Sequence, residues 1–125
     1  MADILVIDDE PQMRRLISRI LRKAGHTVRE AADGCIGLQM CRERRPALVI
    51  TDIVMPVGEG IETIQALRQS GEALPILAIS GNSPALYLRA ATGLGATAAL
   101  AKPFRADDLL AVVANLLNDV ADCDA

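Results

Sequence analysis

Asp52 closes the apolar run Leu48-Val49-Ile50-Thr51, and the chain then breaks at Met55-Pro56 and a loop with Gly58 and Gly60. A second run, Ile4-Leu5-Val6-Ile7, ends in Asp8-Asp9-Glu10. A third, Pro75-Ile76-Leu77-Ala78-Ile79, ends in the hydroxyl of Ser80, and Ala98-Ala99-Leu100-Ala101 ends in Lys102-Pro103. Three carboxylates gathered in a partly desolvated crevice repel, unit charges 4 Å apart costing about 4 kcal/mol at an effective dielectric of 20. A hard divalent cation relieves that repulsion, and Mg²⁺ characteristically takes one or two carboxylates together with water and phosphate oxygens. A carboxylate nucleophile, a metal, the Lys102 ammonium and the Ser80 hydroxyl form a set suited to phosphoryl transfer onto Asp52. Amides of the loop after Ser80 could add donors to the equatorial oxygens.

Such chemistry needs elements that bring those residues together. Short Val- and Ile-rich runs ended by turn residues read as buried parallel strands. Between the first two lies a helix from Pro11, with Met13, Leu16, Ile17, Ile20, Leu21 and Ala24 on one face. Arg14, Arg15, Ser18, Arg19, Arg22 and Lys23 fill the opposite face, read as solvated, and Gly25 is the expected C-terminal cap. Thr27 to Ala31 alternates in character and reads as an edge strand. Asp33-Gly34 caps a second helix to about Arg44, although Gly37 weakens its pattern. Ile61, Ile64, Ala66 and Leu67 mark a third helix, and a fourth runs from about Pro84 to Thr92. Ala98 to Ala101 reads as a strand because the alternation requires one there. A last helix spans roughly Ala106 to Asp119.

Strand and helix thus alternate five times, which specifies a parallel sheet with helices on both faces and right-handed crossovers. The expected fold is α/β, a flavodoxin-like doubly wound five-stranded parallel sheet of order 2-1-3-4-5. That order sets the first and third strands side by side at the switch point, where ligands of open α/β sheets bind. Asp8, Asp9 and Asp52 then end neighbouring strands.

With 125 residues, the chain reads as one domain over residues 1–125. A net charge of −3, one Tyr and one Phe argue against direct nucleic-acid binding. No apolar run has the length of a membrane span, and no signal pattern opens the chain. Three cysteines without CxxC spacing fit a reducing, cytoplasmic setting. Cys35 and Cys41 lie on different helical faces, a poor metal pair, and read as small buried or half-buried side chains. His26, beyond the Gly25 cap, reads as a solvent-facing loop residue.

In order and spacing, Ile4 to Glu10, Asp52 to Gly60, Ser80 and Lys102-Pro103-Phe104 resemble the receiver domain of two-component response regulators, specifically a stand-alone, chemotaxis-regulator-like one. The resemblance implies that Asp52 accepts a phosphoryl group from the phosphohistidine of a sensor histidine kinase or phosphotransfer protein. It further implies Mg²⁺ as cofactor, bound directly by Asp9, Asp52 and the backbone carbonyl of Val54, with Asp8 assisting through water. Lys102 and Ser80 would contact the phosphoryl group, and a cis peptide would precede Pro103. The first helix would meet the kinase. The protein would be a phosphorylation-dependent switch and not an enzyme, catalysing only its own phosphotransfer and dephosphorylation.

The sequence departs from that pattern at Ala99, where the family carries an aromatic residue, and at Gly58-Glu59. Alanine has no rotamer to switch, so output is expected through the loop after Ser80 and the start of the fourth helix, with Tyr87 as its reporter. The resemblance places Val54 and Asn82 at the two positions that tune hydrolysis of the aspartyl phosphate in this family; apolar Val54 offers nothing to orient an attacking water, although Asn82 could, and a long-lived phosphoryl group is expected. Taken alone, Asp8-Asp9-Glu10 could simply be an acidic helix start favoured by the dipole. The competing functions are a Mg²⁺-dependent phosphohydrolase with an aspartyl-phosphate intermediate, a flavodoxin-like FMN carrier and a non-phosphorylated docking module. Against the first, Asp8-Asp9-Glu10 is not the DxD pattern such enzymes carry and the sequence shows no cap domain; against the second, it shows no Ser/Thr/Gly-rich phosphate loop after the first strand and no aromatics to sandwich a flavin.

Overall fold

The structure, a computed structural model, describes residues 2–52, 64–68, 74–80, 97–101 and 104–124. Five strands, β1 (Asp3–Ile7), β2 (Thr27–Ala31), β3 (Leu48–Asp52), β4 (Ile76–Ser80) and β5 (Ala98–Ala101), form one sheet of order β2-β1-β3-β4-β5. Every pairing is parallel. This is the expected doubly wound sheet, with Thr27–Ala31 on its edge. The helices α1 (Pro11–Lys23) and α2 (Gly34–Glu43) and a C-terminal helix (Ala106–Asp124) pack on it. That last helix runs five residues beyond the Asp119 that the sequence indicated.

Period-two alternation splits the strand side chains between two cores. Ile4 and Val6, Leu48 and Ile50, and Leu77 and Ile79 meet Ile17 and Leu21 of α1 and Leu109, Val113 and Leu116 of the C-terminal helix. Leu5, Ile7, Val49, Ile76 and Ala78 face the other way, against Ile64 and Leu67, with Leu38, Met40 and Cys41 of α2 packed at the margin. Both faces are therefore covered, as an all-parallel sheet requires. Residues 64–68 are helical, in agreement with the third helix expected there. The rest of that helix and the whole of the fourth lie outside the described residues.

Chain punctuation explains where the elements stop. Gly25, with φ 98°, ends α1 in the left-handed region. Its N–H donates to the Arg22 carbonyl at 3.0 Å, and the His26 N–H donates to the Leu21 carbonyl at 3.1 Å. This pair of bonds is a Schellman motif, and glycine supplies the positive φ without a Cβ penalty. Asp33 caps α2, its carboxylate accepting from the Ile36 N–H at 2.8 Å. Gly37, which weakens the helical pattern of α2, is where that helix touches the sheet. A Cβ there would lie 2.8 Å from Ile7 Cγ1 and closer still to Cδ1.

The structure corrects several side-chain readings. Leu16, expected on the buried face of α1, is 45% exposed, whereas Ser18, expected outside, is fully buried. The helix is rolled so that its Arg14-Ser18-Arg22 row lies over the edge strand. Arg14 and Arg22 both reach Glu30 of β2, at 3.3 and 3.5 Å, and Arg22 also donates to the Val28 carbonyl. Arg14, at 17% exposure, is thus drawn out of solvent, whereas Arg22 stays 53% exposed as expected, and the Ser18 hydroxyl is satisfied by the Arg14 carbonyl at 2.8 Å. His26 is half-buried, and its Nδ1 accepts from the Ala2 N–H at 3.3 Å. Cys35 is exposed, and Cys41 is half-buried as expected. At the opposite end of the sheet, Arg29 grips Asp3 through two bonds and also donates to the Met40 and Arg44 carbonyls.

Candidate functional site

The site forms where β1 and β3 end together. Ile7 lies opposite Thr51, so Asp8 and Asp52 leave adjacent strands at the same level. Both are buried, Asp8 being 1% and Asp52 6% exposed, while Asp9 is half-buried. Carboxylate burial of this degree is costly unless the charge is compensated.

Local hydrogen bonds hold Asp8. The Asp8 N–H continues the β1–β2 ladder to the Ala31 carbonyl at 3.1 Å. Its Oδ1 accepts from the Glu10 N–H at 2.9 Å, closing an Asx turn that bends the chain into α1. Glu10 sits at the extended N-cap without a side-chain cap bond, and Pro11 opens the helix where no N–H is needed. Arg14, one turn on, reaches back to the Asp8 carbonyl with Nη1 at 2.8 Å. Beneath the third acid, fully buried Thr51 donates its hydroxyl to the Asp52 carbonyl at 3.1 Å.

One carboxylate oxygen from each of Asp8, Asp9 and Asp52 lies within 4.8 Å of the other two. The donors are all hard, anionic oxygens, which suits Mg²⁺ and disfavours ions that select thiolate or imidazole. The acidic trio read from the sequence is thereby brought together, and its residues fit the cation that the sequence implied.

The remaining sequence candidates are placed by the sheet alone or not at all. Ser80 is the last residue of β4 and lies in register with Ala101, the last of β5. Its side chain lies outside the described residues, as do Val54, Lys102, Pro103, Tyr87 and Asn82. Ala99 is half-buried in β5, opposite Ala78.

Two residues at the site escaped the sequence reading: Arg14 and Glu30. The signal was available in the alternation of β2. Val28 and Glu30 share a strand face, and Val28 packs into the core beneath α1. A carboxylate on a strand face that looks at a helix calls for a cation from that helix, and Arg14 supplies it.

Comparison with known proteins was consistent with this geometry. Residues 4–114 match the response regulator receiver domain family. Response regulator MprA of Mycobacterium ulcerans (strain Agy99) is 37% identical over 114 residues, which are 91% of this chain and 49% of that protein. The chain spans about half the length of the curated relatives it matches. Among solved structures, the receiver domain of NtrX from Brucella abortus superposes with a TM-score of 0.89 at 34% identity, covering 93% of this chain and 98% of that one. Chemotaxis response regulator CheY4 of Vibrio cholerae gives 0.85 at 32% identity, with the same coverage.

Proposed function

The chain belongs to the response regulator receiver family, and from that membership we propose that residues 1–125 are one receiver domain with Asp52 as phosphoacceptor. Receiver domains serve two-component signalling as phosphorylation switches and are not generally classed as enzymes. The observation that carries the assignment of Asp52 is its position on β3, within 4.8 Å of both Asp8 and Asp9.

In the proposed reaction an Asp52 carboxylate oxygen attacks the phosphorus of a phosphohistidine on a histidine kinase or phosphotransfer protein. A P–O bond forms and the P–N bond breaks. The departing imidazole nitrogen keeps the electron pair and takes up a proton. Asp9, Asp52 and the Val54 carbonyl are the proposed Mg²⁺ ligands, with Asp8 acting through water. Mg²⁺ bound there supplies charge neutralisation to the transferring group. Lys102 and Ser80 are proposed to contact the phosphoryl oxygens. Among the described residues no helix is long and apolar enough to cross a membrane.

The test is intact mass after incubation with acetyl phosphate, with and without Mg²⁺, for wild type and Asp52→Asn. The expected result is one added phosphoryl group that requires both Mg²⁺ and Asp52. An adduct that survives in Asp52→Asn would refute the assignment of the acceptor. Phosphate release that needs Asp52 and Mg²⁺ but leaves no accumulating adduct would mean fast hydrolysis of the aspartyl phosphate. Neither adduct nor release, on folded wild type, would leave a docking module.

A further inference from the structure

We propose that Arg14 is the positioning residue of the acidic site: its two-point grip on the Asp8 carbonyl and on Glu30 orients the peptide between Asp8 and Asp9 so that both carboxylates face Asp52. The inference rests on the Mg²⁺-binding receiver reading above.

The argument begins with the peptide plane. The Asp8 carbonyl and the Asp9 N–H belong to one rigid unit, so fixing that carbonyl fixes ψ of Asp8 and φ of Asp9 together. Rotation of this one plane swings the two acidic side chains relative to Asp52. Arg14 Nη1 holds the carbonyl at 2.8 Å, and Nε is anchored by Glu30 Oε1 at 3.3 Å. The Asx turn at Asp8 Oδ1 fixes the other side of the same turn.

Arginine suits this task for a geometric reason. Its planar fork addresses two acceptors at once, whereas lysine is a point charge on a flexible stem. The Arg14 side chain is only 17% exposed, so the grip operates largely away from competing water. Glu30 has a second effect. A bare guanidinium beside the site would repel a divalent cation, and the Glu30 carboxylate offsets that charge. Arg14 can therefore hold the turn without opposing the metal.

Arg29 provides the structural control. Its side chain is 18% exposed and is equally engaged, bridging Asp3 and two backbone carbonyls at the other end of the sheet. The experiment is a calorimetric Mg²⁺ titration of the unphosphorylated chain, wild type against Arg14→Gln, Arg14→Lys and Arg29→Gln, with urea midpoints measured alongside. Arg14→Gln is expected to weaken Mg²⁺ binding about tenfold, which corresponds to about 1.4 kcal/mol. Arg14→Lys keeps the charge and should recover less than half of that loss on the logarithmic scale. Arg29→Gln should lose comparable stability and bind Mg²⁺ within about twofold of wild type.

Three results would overturn the proposal: unchanged affinity in Arg14→Gln, full recovery in Arg14→Lys, or an equal loss in Arg29→Gln. Full recovery would show that charge matters and the grip does not. Should Arg14→Gln not fold, Arg14→Lys against Arg29→Gln makes the same comparison, with lysine then expected to bind measurably more weakly. Wild type that binds no Mg²⁺ would instead remove the receiver reading and the role of Arg14 together.

Discussion

Replacing Asp52 by asparagine should stabilise the metal-free protein while abolishing its phosphorylation. The carboxylate oxygens of Asp8, Asp9 and Asp52 lie within 4.8 Å of one another. At that separation and an effective dielectric of 20, each pair of full charges repels by about 3.5 kcal/mol. Asp52 takes part in two such pairs, so about 7 kcal/mol of repulsion is at stake before other charges and water are counted. Half-exposed Asp9, the nearby Arg14 and the other contacts of Asp8 and Asp52 reduce this. A net gain of about 1–3 kcal/mol in Asp52→Asn remains after that screening. Asparagine keeps the shape and burial of the side chain, so the change isolates charge. Urea unfolding in a chelator reads the gain directly, and each kcal/mol moves the melting temperature by roughly 3–5 °C at this chain length. Mg²⁺ should then narrow or reverse the difference. At a hundredfold excess over its Kd, a ligand bound only by the folded state adds about 2.7 kcal/mol, and Asp52→Asn should gain far less than wild type. If Asp52→Asn is no more stable than wild type in chelator, or if Mg²⁺ stabilises both equally, the charge argument is wrong.

Gly37→Ala should cost about 1 kcal/mol, the net of an overpacking penalty of about 1–3 kcal/mol against a helix-propensity gain approaching about 1 kcal/mol. Ile7→Val removes the Cδ1 atom nearest the new methyl, so a double-mutant cycle by urea unfolding should show a coupling of about 1 kcal/mol, and additivity within about 0.3 kcal/mol would refute the contact. Burial, and after it the positive amino terminus, lower the His26 pKa below the ordinary 6.5. The unfolded chain therefore holds more protons than the folded one below pH 6.5, and the His26 contribution to stability is complete above 6.5 and lost as pH falls through the lowered value. His26→Asn should lose less stability than wild type between pH 7.5 and 5.5, and parallel losses in the two proteins would contradict this.

Strand order and most element boundaries were legible because parallel strands buried on both faces write unbroken apolar runs. Even the weak Ala98–Ala101 strand followed from the alternation, although Ala disfavours strands. The acidic trio was legible for the same reason: strand ends in a doubly wound sheet have one place to meet. The roll of α1 about its axis was not. Periodicity shows that a helix has an apolar stripe, but a polar row flanking the stripe can be drawn inward by a partner on the sheet. Arg14 and Arg22 found theirs in Glu30, which buried Ser18 and turned Leu16 outward. Gly37 read as a flaw in α2 because a sequence shows the missing side chain and not the Ile7 that occupies its place.

The pairing of β1 with β3 also has a consequence for how the protein is made. During synthesis Asp8 and Asp9 emerge well before Asp52, and nothing local can bring the three together. They meet only once β3 has inserted beside β1 with Ile7 opposite Thr51. That is a non-local pairing, slow to form because loop closure precedes any stabilising contact. A slip of one residue would set Thr51 or Ile53 beside Asp8 and turn the whole strand over. The gathering of these three acids is thus a property of the finished sheet, and nascent or misregistered chains lack it.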